Sequence, residues 1–169
     1  MFETVLIPDC EKCAALCCVS LAFDKSDQFP IDKPNGEVCP QLNDSQTCKI
    51  YDEREANGYH GCMHFDCLGA GQRVVQEVFK GANWRDDRTL LPQMTEAFVL
   101  MRRVHEQLVL LNEVEKLPLT PEERSAFEEF GEEVTPESGW TMDLLLAYEQ
   151  GGFERRLRAF LMSLRHHIA

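Results

Sequence analysis

Apolar residues in the second half of the chain recur at helical spacing. Met94, Ala97, Phe98, Met101, Val104, Leu108, Leu111 and Val114 fall on one stripe, which predicts a long amphipathic helix over residues 93–116. Thr120-Pro121-Glu122-Glu123 predicts the start of another helix. Threonine caps it, proline takes the first helical position, and glutamate stands three residues after the cap. That helix is expected to stop at Gly131, and a last helical region to run from Thr141 to His167 with an interruption at Gly151-Gly152.

The first half has a different texture. Residues 10–23 place short apolar runs between cysteines and predict a turn that enters a helix. Residues 24–47 read as loop, with turn signals at Asp24-Lys25-Ser26-Asp27, Pro30, Pro34-Asn35-Gly36 and Asn43-Asp44-Ser45. Cys48-Lys49-Ile50-Tyr51 reads as a short strand or as the first turn of a helix running to Asn57-Gly58. Gly69-Ala70-Gly71 leads into a helix predicted over Gln72–Lys80, with Val74, Val75, Val78 and Phe79 as its buried positions. The expected fold is mainly α. A loop-rich, cysteine-bearing metal-binding module over residues 1–80 packs on a small helical bundle over residues 81–169, the two forming one compact unit.

Charge narrows the partners. The net charge is −12, shared evenly: residues 1–80 carry 13 acids and 7 bases, and residues 81–169 carry 16 and 10. An acidic chain with no basic face is a poor nucleic-acid binder, because basic residues supply most of that affinity. The start of the chain, Met1-Phe2-Glu3-Thr4-Val5-Leu6-Ile7-Pro8-Asp9, has neither a basic nor an apolar signal region. No run approaches the roughly 18 apolar residues that cross a bilayer. These features lead to the expectation of a cytoplasmic protein with no membrane partner.

Cysteine placement changes the picture most. All 8 cysteines lie between Cys10 and Cys67, and residues 68–169 have none. In a reducing compartment, that density points to metal rather than disulfides, although the even count leaves disulfides as an alternative. Cys10-Glu11-Lys12-Cys13 is a C-x2-C pair, a spacing that lets one turn aim two sulfurs at one ion. Were residues 10–18 helical, Cys10, Cys13 and Cys17 would share a face and Cys18 would point about 80° away, toward a different ion or none. Cys39, Cys48, Cys62 and Cys67 complete the set, separated by 8, 13 and 4 residues. Eight thiolates suffice for two four-coordinate sites, or for one with spare ligands. Zinc is the expected metal, with iron or an iron–sulfur cluster as the alternative.

Cys10-x2-Cys13-x3-Cys17-Cys18, then Cys39, Cys48-Lys49-Ile50-Tyr51-Asp52-Glu53-Arg54 and Cys62, resembles the small bacterial CxxCxxCC family, described as a zinc- or iron-chelating domain. Phe29-Pro30-Ile31-Asp32-Lys33-Pro34-Asn35-Gly36 and the block from Gly61 to Gln72 resemble the cysteine-rich region found ahead of pentapeptide repeats in some bacterial proteins. The resemblance covers about residues 9–85 and implies metal chelation without naming a reaction. This chain differs at the second gap, three residues rather than two, and at Arg54-Glu55, where the pattern has arginine-proline. Its 169 residues include no pentapeptide repeats.

Other candidates have plainer readings. His60 and His64 flank Cys62 and read as surface groups or supports for its ligands, with replacement of a cysteine as ligand the alternative, and His105 reads as a structural residue of the long helix. His166-His167 are expected to complement a helix dipole. Gly69 and Gly71 suit a close backbone approach to the metal or to a neighbouring helix. Asp66 reads as a local cap or as a group near the metal. Glu128, Glu129, Glu132 and Glu133 form a solvated face, and Arg155, Arg156, Arg158 and Arg165 a basic stripe. No Ser-His-Asp set, Walker loop or HExxH is present, and the spacing nominates no catalytic residue. Three functions follow in order: a metal-binding accessory protein whose helical half meets a protein partner, a redox protein or metalloenzyme, and a metal store or carrier.

Overall fold

Short helices alternate with turns through the first ninety residues, and long capped helices follow. The computed structural model describes residues 2–167. Its helices are α1 (Leu16–Ser20), α2 (His60–His64), α3 (Ala70–Arg73), α4 (Leu91–Val114), α5 (Pro121–Val134), α6 (Met142–Gln150) and α7 (Phe153–Ser163). Tight 3-10 turns occupy Glu3–Leu6, Cys10–Lys12, Tyr51–Glu53, Arg88–Leu90 and Leu164–His167. Among the described residues no strand forms. Phe23 with Lys33 and Leu42 with Cys48 make isolated antiparallel bridges, so Cys48 ends a pairing rather than starting a strand or helix.

The apolar stripe on α4 is the spine of the molecule. Met94, Ala97, Phe98, Met101, Val104, Leu108 and Leu111 are fully buried. They join one contiguous core with Leu16 and Val19 of α1, Ala70 of α3, Phe127 and Val134 of α5, Leu145 of α6, and Phe153 and Leu157 of α7. The capping box at α5 forms as the sequence predicts: Glu123 N–H donates to Thr120 Oγ1, and Thr120 N–H donates to the Glu123 carboxylate at 2.8 Å. The helix does not stop at Gly131, however, but continues to Val134. One glycine costs a helix only about 1 kcal/mol. Gly131 is buried where the Phe2 ring would stand 3.2 Å from an added Cβ, so its smallness serves packing. Thr141 caps α6, and Gly152, with φ of 64°, turns the chain into α7.

The helix predicted over Gln72–Lys80 starts earlier and changes type. It runs as α3 from Ala70 and widens into a π-helical turn over Val74–Val78. Val74 and Val75 are buried, while Val78 and Phe79 are half-buried. Glu77, on that turn, pairs with Arg73 Nε at 2.7 Å and accepts from the backbone N–H of Trp140 at 2.9 Å. It thereby ties the end of the first half to the start of α6.

Trp84 crosses the expected division at residue 80. Its buried indole N–H donates to the carbonyl of Ala14, 2.6 Å away. Asn83 and Arg85 bond Gln46 and the carbonyl of Asn43, so this segment holds the 43–46 loop in place. No helix among the described residues is long and apolar enough to cross a membrane.

Candidate metal centre

Backbone geometry next to the cysteines is the first local signal. Four non-glycine residues have positive φ, and two of them stand beside thiols: Ala15 (φ 53°), between Cys13 and Cys17, and Leu68 (φ 52°), immediately after Cys67. The left-handed residue at Ala15 prevents a continuous helix over 10–18. Cys10–Lys12 therefore forms its own turn, and α1 starts afresh at Leu16. Cys18 consequently does not point away as a continuous helix would require. Its sulfur lies 3.9 Å from that of Cys17.

Three further contacts position the first turn. Gln72 of α3 accepts from the backbone N–H of Asp9 and donates to the carbonyl of Ile7 at 3.0 Å. Gln76 donates to the carbonyl of Lys12 at 3.2 Å. Gly71 lies directly against Cys13 Sγ, where any Cβ would collide with the sulfur, so this glycine is the close approach that the sequence suggested. Gly69 has φ of 79° and packs against the carbonyl of Val5.

The second group of thiols arrives on the loop. Cys39 N–H donates to the carbonyl of Cys18 at 2.9 Å, and Gly36 N–H to that of Val19 at 3.0 Å, laying residues 36–39 along α1. The Leu42–Cys48 bridge and the Lys49 N–H to Gln41 carbonyl bond then return Cys48 beside Cys39. Phe23 and Phe29 stack at 4.1 Å with Tyr59 edge-on to both, and the Phe29 ring covers Gly61, which anchors α2 and Cys62.

Electrostatics show which thiols are neighbours. Burial is the main cause that raises Cys10, Cys39 and Cys67, and it pushes Cys13 up to about 12 and Cys62 up to about 11. In all five, Cys17 adds a like-charge contribution. Cys17 itself is held well above the usual thiol range, first by its hydrogen bond with Cys18 and then by burial. Cys17 is the hub. It acts on Cys10, Cys13 and Cys67, which also act on one another, and on Cys39 and Cys62, which interact with each other and with Cys48.

Opposing these increases are groups aimed at the sulfurs. Backbone N–H groups of Leu16, Gln41, and both Gly69 and Gly71 favour the thiolates of Cys13, Cys39 and Cys67 respectively. Lys33 is buried at 3% exposure beside Cys39, Cys18 and Cys17, its ammonium donating to the carbonyls of Val19, Leu21 and Pro34. Arg54 acts on Cys10 and Cys62 and donates to the Cys62 carbonyl at 3.2 Å. Sequence reasoning singled out neither residue as functional. Their signal was that each lies within a stretch carrying the family resemblance, Lys33 in Phe29–Gly36 and Arg54 in Cys48–Arg54.

This donor set suits a thiolate-bound metal: soft ligands, amide dipoles turned toward sulfur, and two cations to balance tetrathiolate charge. The sulfurs of Cys17 and Cys18 lie 3.9 Å apart, close enough for two thiolate sites to adjoin at this pair. Among the described residues no three cysteine sulfurs come within 4.8 Å of one another. All eight cysteines are free thiols, so no disulfide links them.

The histidines and acids sort differently. His64 is exposed and His60 half-buried. Asp66 closes a turn by accepting from the Leu68 N–H at 2.7 Å. His105 is fully buried, and its Nδ1–H donates to the Leu68 carbonyl. Glu133 leaves the acidic face to make a two-pronged pair with Arg156, at 2.8 and 2.6 Å. His166 and His167 do not simply finish a helix. They meet Glu123 at the start of α5.

No family model and no solved structure matches the chain. A protein of Bacillus subtilis (strain 168), described as uncharacterized protein YybG, is 36% identical over 127 residues, which is 73% of this chain and 46% of that protein. The chain thus spans about half the length of the curated relative it matches. That relative's description names no chemistry, so the reading of this site rests on the thiols and on the groups turned toward them.

Proposed function

We propose that residues 10–67 hold thiolate-bound metal, zinc first, in a cytoplasmic accessory protein whose helical half meets a protein partner. One observation carries the reading: six other thiols interact with Cys17, while backbone amides favour three of the thiolates and the cations Lys33 and Arg54 lie near the cluster. In this proposal Cys10, Cys13, Cys17 and Cys67 form one four-thiolate set, and Cys18, Cys39, Cys48 and Cys62 the other. The adjacent Cys17-Cys18 pair places one ligand in each. Pairing of Cys18 with the second set is supported by the Cys39 N–H bond to its carbonyl. The metal supplies a crosslink with no assigned reaction, in keeping with the resemblance to a chelating family. Storage or delivery ranks third, because six of the eight thiols are only partly exposed and one is buried.

An iron–sulfur cluster is the second reading, with a redox role. It is favoured by the absence, among the described residues, of any three cysteine sulfurs within 4.8 Å of one another, since thiolates on separate irons stand further apart than four on a single ion.

Elemental analysis and a visible spectrum of untagged protein, purified without oxygen, separate the two. About two zinc per chain, falling to one in Cys13→Ser and likewise in Cys48→Ser, is the expected result. Iron with matching sulfide and a coloured solution would replace zinc with a cluster. A chain that carries neither would overturn the proposal.

A further inference from the structure

We infer that Glu123, His166 and His167 form a separate divalent-metal site of nitrogen and oxygen ligands that fastens the 3-10 turn Leu164–His167 to the start of α5. One ligand atom from each of the three residues lies within 4.8 Å of the other two. His166 Nε2 stands 3.4 Å from Glu123 Oε1, and His167 Nε2 stands 2.9 Å from Glu123 Oε2. An ion with bonds of about 2.0–2.1 Å in tetrahedral geometry needs ligands about 3.3 Å apart, so these contacts are already close to the required spacing.

Hydrogen bonding behind the ligands points the same way. His166 Nδ1–H donates to the Ser163 carbonyl at 2.9 Å. With the proton on Nδ1, the lone pair of Nε2 faces a carboxylate oxygen, and either a second ring proton or a metal ion between them resolves that contact. A second proton on both rings at once is disfavoured. The two rings lie 4.0 Å apart, where two imidazolium charges repel. One metal ion takes both rings in their neutral form. The carboxylate is positioned in turn, because Thr120 N–H donates to Glu123 Oε2 at 2.8 Å. Supports of this kind, a carbonyl behind an imidazole and a hydrogen bond on the carboxylate, orient ligands in metal sites generally.

Exposure sets the character of the site. His167 and Glu123 are 9% and 17% exposed, whereas His166 is 60% exposed. Three protein ligands leave one position to water, which suits an exchangeable zinc or nickel ion and not a permanently enclosed one. Its ligands share nothing with the cysteines, which end at Cys67.

The test uses the full-length, untagged chain after its cysteines have been loaded with zinc and excess metal removed. Nickel is then titrated calorimetrically into the wild type, Glu123→Gln and His167→Ala. Glu123→Gln keeps the side-chain hydrogen bond of the capping box while removing the anionic ligand, so it retains the fold if His167→Ala does not. The expected result is one nickel per wild-type chain, at least tenfold weaker binding in both variants, and paramagnetic loss of the His166 and His167 ring signals. Zinc content is measured before and after, so exchange into the thiols is read separately, and a failed cysteine reading leaves this result interpretable. No nickel bound by the wild type, or equal binding by Glu123→Gln, would overturn the site and leave His–carboxylate hydrogen bonds.

Discussion

Residues 21–68 and residues 91–163 are held in place by different means. The second stretch is built from four helices, two of them with side-chain N-caps, and contributes most of the fully buried core. In the first, the only apolar side chains buried are Cys39, Leu42 and Tyr59, alongside the buried Lys33. Ordering a residue costs about 1–2 kcal/mol of backbone entropy, and burying a large apolar side chain returns about 1.5–3 kcal/mol. Three such side chains do not offset the ordering of some four dozen residues. Where the helical half folds by burial, the cysteine loop has to borrow its order, either from α4 and Trp84 beneath it or from a crosslink between its thiols.

Removal of metal should break this comparison most visibly. A structural thiolate site contributes on the order of 10 kcal/mol to folding. Chelation under reducing conditions is therefore expected to open residues 21–68 to proteases and amide exchange, while α4 to α7 stay protected. Mass spectrometry of the fragments checks it: early cuts should fall in the loop over 24–47. Unchanged protection of that loop after complete metal removal would mean that the contacts of Trp84, Arg85 and α4 suffice. Loss of all helices at once would mean that the two regions fold as a single unit.

The same contrast explains what could be read from sequence. Periodicity located α4 to within two residues at each end, and the capping box located α5, because both signals are local and repeat along the chain. Gly131 misled because a glycine's tertiary role, giving room to Phe2, looks in sequence like a stop. In the cysteine region the candidate ligands could be named from type and density, but their grouping could not. One left-handed residue at Ala15 re-aims Cys17 and Cys18, and nothing in an alanine announces that. Lys33 reaches its three carbonyls only after the loop folds back, and Glu123, His166 and His167 meet from more than forty residues apart. Such placements depend on long-range packing, to which a periodic pattern is blind.

His105 tests the junction between the regions with a smaller effect. It lies on α4, and its Nδ1–H donates to the carbonyl next to Cys67, while Nε2 is buried without a partner. Burial lowers its pKa from 6.5 to about 4, with Arg73 adding to the lowering and the Leu68 bond and Glu77 opposing it. The unfolded chain therefore takes up a proton near pH 6.5 that the folded chain refuses until about pH 4. Between those limits the unfolded state binds more protons, so stability rises with pH. The contribution is present above pH 6.5 and lost by pH 4, a total of about 3 kcal/mol at about 1.4 kcal/mol per pH unit. Urea unfolding of the wild type and His105→Gln at matched pH values isolates it. The stability difference between them should narrow as pH falls through this window, and a constant difference would remove His105 as the source.

The smallest effect belongs wholly to the helical half. Thr120→Ala removes the side-chain oxygen that accepts the Glu123 N–H at 3.3 Å, while Glu123 keeps its bond from the Thr120 backbone. Loss of such a cap costs about 1 kcal/mol. Because α5 is held by Phe127 and Val134 in the core, the cost should appear in global unfolding by denaturant and leave the protease pattern of residues 21–68 unchanged. Glu123 also belongs to the histidine cluster, so added zinc should recover part of the lost stability, since an ion that binds only the folded state favours it by mass action. Recovery in Thr120→Ala but not in Thr120→Ala/His167→Ala would show that the two ends of the helical half are joined through this carboxylate. Equal cost with and without zinc would confine Glu123 to its role in the cap.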